Sequence, residues 1–334
     1  MDEITTIGID LAKSVFQIHG VREDGSVALR RKLRRGQVLD FFAACPPCLL
    51  GLEACAGAHY WARELIALGH DVRIMPAAYV KPYVKRGKTD AADAEAICEA
   101  ATRPAMRFVP VKSAERQGAL VDHKTRDFLV RQQTQLVNTI RAHLAEFGLV
   151  YARGIHNTDR LIALIEEAPE AARPALDLLA EQLRETRDRI KAVTDRIAAA
   201  QKEDALARRL TTIPGIGTLS SSAFAATTPE VENFRTGRDY AAWLGLTPRP
   251  HSSGGRERLG RISKAGNRYL RRLLYLGAMA QISARRSGKP GTDWLWRMLE
   301  RKPVKVVAVA LANRMARVVW ALIKTGDSYQ ARTA

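Results

Sequence analysis

Two aspartates stand three residues apart in Thr89-Asp90-Ala91-Ala92-Asp93-Ala94-Glu95-Ala96, an alanine-rich run that begins after Lys88. On a helix this spacing puts Asp90 and Asp93 on one face, a turn apart. Paired carboxylates of this kind hold hard divalent cations such as Mg²⁺, usually completed by phosphate oxygens. The same residues also read as a plain helix start, with Thr89 or Asp90 as the N-cap and an acidic first turn facing the helix dipole. Two other acids widen the choice. Asp10 closes the β-rich run Ile4-Thr5-Thr6-Ile7-Gly8-Ile9, and Glu53 closes Leu49-Leu50-Gly51-Leu52. Strand ends of an open α/β sheet are where ligands collect. Asp10, Glu53, Asp90 and Asp93 together would form a carboxylate cage for one or two metal ions. Two such ions can clamp the attacking and leaving oxygens of a phosphodiester.

The elements that must position these acids are legible in residues 1–75. The first strand ends on Asp10, Val15 to His19 alternates as a second, and Arg22-Glu23-Asp24-Gly25-Ser26 reads as a hairpin turn. Val27 to Leu33 makes a third strand and Gln37 to Ala44 a helix. The strand ending on Glu53 comes next, then a helix from Tyr60 to Leu68 capped by Gly69, then the strand Val72 to Met75. Three antiparallel strands followed by βα units predict a mixed sheet with helices on its faces.

The remainder is helical. Ser113 to Phe147 carries no Gly or Pro except Gly118. After a break at Gly148 to Asn157, the residues Leu176, Leu179, Leu183, Ile190, Val193 and Ile197 follow a heptad seam with Thr186 at the skipped position. That seam suits a coiled-coil dimer contact or a helical hairpin on its own chain. Ile213-Pro214-Gly215-Ile216-Gly217 then leads into a small-residue helix from Leu219 to Ala226. A turn of this composition aims backbone N–H groups from Gly215 and Gly217 at a phosphate, as helix-hairpin-helix elements do, or simply connects two helices. The loop Thr247-Pro248-Arg249-Pro250-His251-Ser252-Ser253-Gly254-Gly255 follows. Between 249 and 272 lie Arg249, Arg256, Arg258, Arg261, Lys264, Arg268, Arg271 and Arg272 against the single acid Glu257. Arginines beside flexible, hydroxyl-bearing backbone suit phosphate contacts.

Composition agrees with a polyanion partner. Of 334 residues, 53 are Lys or Arg and 35 Asp or Glu, for a net charge of +18. That excess favours nucleic acid or an anionic membrane surface. The apolar stretch Val304 to Ile323 carries Lys305, Asn313, Arg314 and Arg317, which argues for an amphipathic helix over a membrane span. The start Met1-Asp2-Glu3 gives no signal-peptide pattern. Cys45, Cys48, Cys55 and Cys98 read as free thiols, the C-x-x-C pair lacking a second pair or a His cluster to complete a zinc site. These features predict a cytoplasmic protein with no membrane partner.

Taken in order, the blocks resemble one family. Ile7-Gly8-Ile9-Asp10 with Ala12-Lys13, Glu53-Ala54-Cys55-Ala56-Gly57, and Lys88 to Ala94 are similar to the three acidic blocks of the DEDD insertion-sequence transposases. Ile213 to Gly217, Leu244-Gly245-Leu246-Thr247-Pro248 and Ile262-Ser263-Lys264-Ala265-Gly266-Asn267 resemble the C-terminal transposase domain of the same family. The resemblance implies an RNase H-like (RuvC-like) α/β domain over 1–112. Long helices and a coiled-coil linker would span 113–205, and a mainly α-helical C-terminal domain 206–334. It implies a nucleophilic serine in the loop between the last two blocks. Ser253 fits the pattern better than Ser252, although this loop differs slightly in length. It further implies Mg²⁺ on Asp10, Glu53, Asp90 and Asp93, and DNA recombination through a covalent phosphoserine intermediate. The implied partners are double-stranded donor and target DNA and a structured non-coding guide RNA, the bridge RNA. Subunits would form a dimer, with a tetramer as the synaptic complex, in a bacterial, nucleoid-associated setting. Lys88, Gly215, Gly217, Arg249, Arg256, Arg258, Arg261, Lys264 and Arg268 are the candidate nucleic-acid contacts. Two rivals use the same charge. A RuvC-like junction nuclease would cleave with metal-activated water, and a non-enzymatic nucleic-acid-binding protein would use the acids only as caps. His251 lies near the serines as a candidate phosphate contact or base. The tryptophans Trp294, Trp296 and Trp320 read as core.

Overall fold

The computed structural model describes residues 4–85, 89–252, 254–256, 258–288 and 293–330. The chain divides into two compact units, 1–117 and 118–334. In the first unit β1 (Thr6–Asp10), β2 (Val15–Val21) and β3 (Val27–Arg34) are antiparallel neighbours. The β2–β3 turn forms where expected, with Gly25 in the left-handed region (φ 82°) and the Ser26 N–H donating to Asp24 Oδ1 at 2.8 Å. After α1 (Val38–Ala43) the chain enters β4 (Leu49–Glu53), parallel to β1, then α2 (Ala58–Ala67), and then β5 (Asp71–Met75), parallel to β4. The order β3-β2-β1-β4-β5 is the mixed sheet that the strand signals predict. A short α3 (Ala77–Val80) leads to α4 (Asp90–Ala101).

Opposite faces of the sheet are built from different residues. Ile7, Ile9, Leu50 and Leu52 alternate onto the face covered by α2, where Phe16 meets Trp61 edge-on at 5.0 Å. The other face carries glycine in place of bulk. A Cβ on Gly8 would meet Ala94 O and Cys98 N of α4, and one on Gly51 would lie 2.9 Å from Ala101 Cβ. These two glycines are in register across β1 and β4 and allow α4 to lie directly on the sheet. Beyond β5, the Val109 N–H donates to Ile74 O at 2.7 Å, so an isolated bridge covers part of that edge.

The division between units falls within α5 (Ala114–Ala145). It is followed by α6 (Thr158–Ala163) and α7 (Arg173–Glu203). Leu176, Ala180 and Leu183 of α7 pack with Leu136, Ile140 and Leu144 of α5 and with Leu161 of α6. Farther along, Val193 and Ile197 pack with Leu129. The heptad seam is therefore occupied by this chain's own helices, the hairpin alternative. Then come α8 (Ala205–Leu210), α9 (Thr218–Thr227), α10 (Gly237–Trp243), a small hairpin of β6 (Pro248–Pro250) and β7 (Leu259–Ile262), α11 (Arg268–Arg286), α12 (Trp294–Arg301) and α13 (Val304–Thr325). By length and composition α13 could cross a membrane. Its Val307, Leu311, Met315, Val319 and Leu322 are nevertheless buried in a core with Leu270, Leu274 and Phe224.

Candidate active site and nucleic-acid interface

Asp10 leaves the end of β1, and Glu53 leaves the end of the adjacent parallel strand β4. Asp90 and Asp93 occupy the first turn of α4. The cap is Thr89, whose Oγ1 accepts from the Ala92 N–H at 3.2 Å. Thr89 is thus the N-cap, and Asp90 and Asp93 are the acids of the first turn without being the cap. Burial pushes the Asp10 carboxyl up to about 6, helped by the charges of Asp93, Asp90 and Glu53 in that order. Burial, with the charge of Asp93, also raises Glu53. Asp10 therefore lies within electrostatic reach of the other three acids, and Glu53 within reach of Asp93.

Carboxylates such as these are hard-oxygen donors, of the kind that suits a divalent cation. Among the described residues, no three Asp, Glu, His or Cys side chains already sit as a metal-binding group. Cys55 lies just past Glu53 and is exposed. Burial and the charges of Glu53 and Asp10 raise its thiol. Burial likewise raises the Cys45 thiol. Cys48 is pushed up to about 12 by burial, and its N–H donates to His70 Nδ1 at 3.3 Å. All four cysteines are free thiols.

In the second unit Arg249, Ser252, Arg256, Arg258 and Arg261 lie on or between β6 and β7, Lys264 and Arg268 follow, and Gly215 and Gly217 lie in the turn before α9. Ser253 and Lys88 lie outside the described residues. Ser252 is exposed, and its Oγ accepts from the Arg258 N–H at 3.3 Å. The His251 ring rests against Gly260, where a Cβ would lie 2.6 Å from Nε2. Arg249 donates through Nη2 to Ser263 O at 2.7 Å and so ties the two strands together. Arg249, Arg256, Arg258, Arg261, Lys264 and Arg268 are exposed and, among the described residues, pair with no carboxylate. Unpaired cations on a loop keep their full charge for an anionic partner.

Backbone interlocking supports that loop. A Cβ on Gly245 would strike Ala265 O, and one on Gly266 would strike Trp243 O. Arg271 Nη1 donates to both Leu244 O and Ala265 O at 2.9 Å. Held this way, Lys264 adopts φ 55°, the only positive φ of a non-glycine among the described residues. Such strain persists only where the surroundings over-determine it, and it concentrates at functional sites. The Ile213–Gly217 turn has a different cause. Gly215 (φ 78°) lies against Gly277 of α11, and Gln281 Nε2 donates to Pro214 O at 2.8 Å. Packing on α11 accounts for Gly215, while Gly217 is exposed at the N-cap of α9.

His123 is a core histidine whose ring nitrogens meet Tyr269 Oη and Ser222 Oγ, each at 3.1 Å. Burial pushes this histidine down to about 4, so it is neutral and ties α5 to α9 and α11. A lone histidine in a long helix carries no sequence signal for such a role.

Comparison with known proteins supplies the class. Residues 7–148 match the DEDD, IS110-type family described as Transposase, and residues 207–290 match the Transposase IS116/IS110/IS902 family. The chain is 49% identical to the "Probable family 20 transposase" of Pseudomonas aeruginosa, over 98% of this chain and 99% of that one. It is 39% identical to the transposase for insertion sequence element IS1328 of Yersinia enterocolitica, over 98% and 99%. To the transposase for insertion sequence element IS1111A of Coxiella burnetii it is 37% identical, over 99% and 92%. The molecule is an insertion-sequence transposase, an enzyme acting on DNA. It belongs to the IS116/IS110/IS902 family.

Proposed function

We propose that this transposase cuts and rejoins DNA through a covalent phosphoserine intermediate, with Asp10, Glu53, Asp90 and Asp93 as the metal-binding acids and Ser253 as nucleophile. What supports the reading is that Asp10, at a strand end, is buried and feels the charges of Asp93, Asp90 and Glu53, acids placed at a second strand end and one helix start. That arrangement destabilises Asp10 and is hard to explain without a cation. Mg²⁺ held by these acids would neutralise charge on the scissile phosphate. The Ser253 hydroxyl bonds to phosphorus as the bond to the leaving deoxyribose oxygen breaks, and the serine proton passes to solvent or to that oxygen. Arg256 and Arg258 offset negative charge on the reacting phosphate. Because the phosphoserine keeps the phosphodiester bond energy, a new strand end can displace the serine without ATP.

The remaining assignments follow the family resemblance. The first unit is RNase H-like and the helical segments link it to a serine-bearing C-terminal domain. A structured guide RNA, the bridge RNA, pairs with donor and target DNA, and subunits assemble so that one supplies acids and another the serine. Lys88, Gly217, Arg249, Arg261, Lys264 and Arg268 contact nucleic-acid backbone, with Gly215 shaping the turn. The cytoplasm is the expected compartment.

The test is incubation of protein, Mg²⁺, cognate RNA and DNA, followed by denaturing electrophoresis for a protein–DNA adduct. The adduct is expected with wild type and lost in Ser253→Ala. Its persistence in Ser253→Ala overturns the serine assignment. Cleaved ends carrying no protein would instead indicate hydrolysis by water, as in a junction nuclease.

A further inference from the structure

The outer strands of the first unit carry a polar lane that the catalytic reading does not use. Asp10 of β1 is in register with Gln17 of β2, and Gln17 with Lys32 of β3. Residues directly opposite in antiparallel strands project to the same face, so these three form one row. A second row runs parallel to it through Gly8, His19 and Arg30. Both rows lie on the face that α4 covers, and beside them is a groove of about 210 Å³ lined by Gln17, His19, Arg30, Lys32 and Ala91. Ala91 belongs to the same helical turn as Asp90 and Asp93.

Several features make this groove a built site. Gln17 and His19 are only 9% and 4% exposed. Among the described residues neither the Gln17 amide nor the His19 ring makes a hydrogen bond, and neither is a sealed, unsatisfied group, so their polar ends open into the groove. At the outer end Lys32 is exposed and, among the described residues, forms no ion pair. Arg30 reaches Glu95 only at 3.6 Å, while Lys85 meets that carboxylate at 2.8 Å. Cationic charge at the outer end and acids at the inner end give the lane a direction. A phosphodiester strand can enter over Lys32 and Arg30, hydrogen-bond to Gln17, and arrive at Asp10. Two strand spacings, about 10 Å, separate the Lys32 and Asp10 backbones, and the long lysine side chain can span part of that distance toward a neighbouring phosphate.

We propose that this groove binds the sugar-phosphate backbone of the DNA strand being cut, with Lys32 and Arg30 on a phosphate adjoining the scissile one and Gln17 donating between them. The proposal rests on the reading above in taking Asp10 as the cutting site. Binding can nevertheless be measured without cutting.

The experiment uses full-length protein and two fluorescent probes, a single-stranded DNA of an element end and an RNA of the same sequence, titrated across a salt series. Lys32→Gln is expected to weaken DNA binding about three- to tenfold and to lower the slope of log K against log salt by about one. Gln17→Leu should weaken DNA binding without changing the slope. In wild type, bound DNA should protect Lys32 from acetylation, a readout that needs no variant. Unchanged affinity and slope in Lys32→Gln, with Lys32 acetylated equally with and without DNA, overturns the groove. Loss confined to the RNA probe overturns its assignment to the cut strand. Failure of the cutting mechanism would look different, with no adduct in wild type while the Lys32 effects on binding persist.

Discussion

The two regions that carry the candidate chemistry are opposites in charge and in construction. The acids of the first unit leave regular elements, the ends of β1 and β4 and the first turn of α4, whose positions are set by a buried sheet. Their cost is electrostatic, since like charges and burial together lift Asp10 to about 6. The basic segment of the second unit sits on a short hairpin and a strained loop, held by backbone-to-backbone contact at Gly245 and Gly266. Its cost is conformational, in the left-handed Lys264. A carboxylate cage needs fixed geometry to select an ion, whereas cations tracking a phosphate backbone tolerate movement.

That contrast can be broken experimentally, most sharply at the acids. Asp93→Asn is expected to lower strand cleavage by at least about 10³-fold, because groups acting as one unit fail together. Filter binding should show DNA affinity within about twofold of wild type. If cleavage and binding fall in parallel, the acids serve binding and the distinction between the regions collapses. Gly8→Ala tests the scaffold under the cage. The new methyl group meets Ala94 O and Cys98 N, so α4 must lift from the sheet. A loss of about 3 kcal/mol or more is expected by denaturant unfolding.

The second unit has its own acid sensitivity. His123 has a folded-state pKa near 4 against an ordinary 6.5, so the unfolded chain takes up a proton first as pH falls. Its contribution is fully present above pH 6.5 and is lost progressively down to about pH 4. The loss is on the order of 3 kcal/mol. Thermal melts from pH 7.5 to 4 should show this decline, reduced in His123→Gln. The smallest effect is expected at the hairpin. Arg258→Ala should reduce the salt slope of DNA binding by about one and affinity by a few-fold, without altering the melting temperature. A large stability loss there would mean that the basic segment is structural after all.

Much of the first unit is legible in the chain because its signals are local. The alternation Val15 to His19, the Asp24-Gly25 turn and the acid-terminated apolar runs each depend on nearest neighbours, and β2, β3 and β4 follow them closely. The lane through Gln17 and Lys32 was less accessible. Its visible signal is the cationic run Arg30-Arg31-Lys32 in β3, but knowing that Lys32 shares a row with Asp10 requires the register of three strands. The heptad seam in α7 was ambiguous for another reason. Leu176 and Leu183 have the same spacing whether the opposite helix comes from this chain or from a second one. Contact with Leu136 and Ile140 decides it.

The chain by itself determines the charge, the residue types at Asp10, Glu53, Asp90 and Asp93, and the membership of strands and helices that carry them. Those properties follow from short-range sterics, from alternation and from side-chain chemistry. Only the tertiary structure decides that Gly8 and Gly51 clear a seat for α4, that the four acids share one field, and that Gly215 exists for Gly277. Each of those depends on atoms distant in sequence arriving at van der Waals or Coulombic range, which no local pattern encodes.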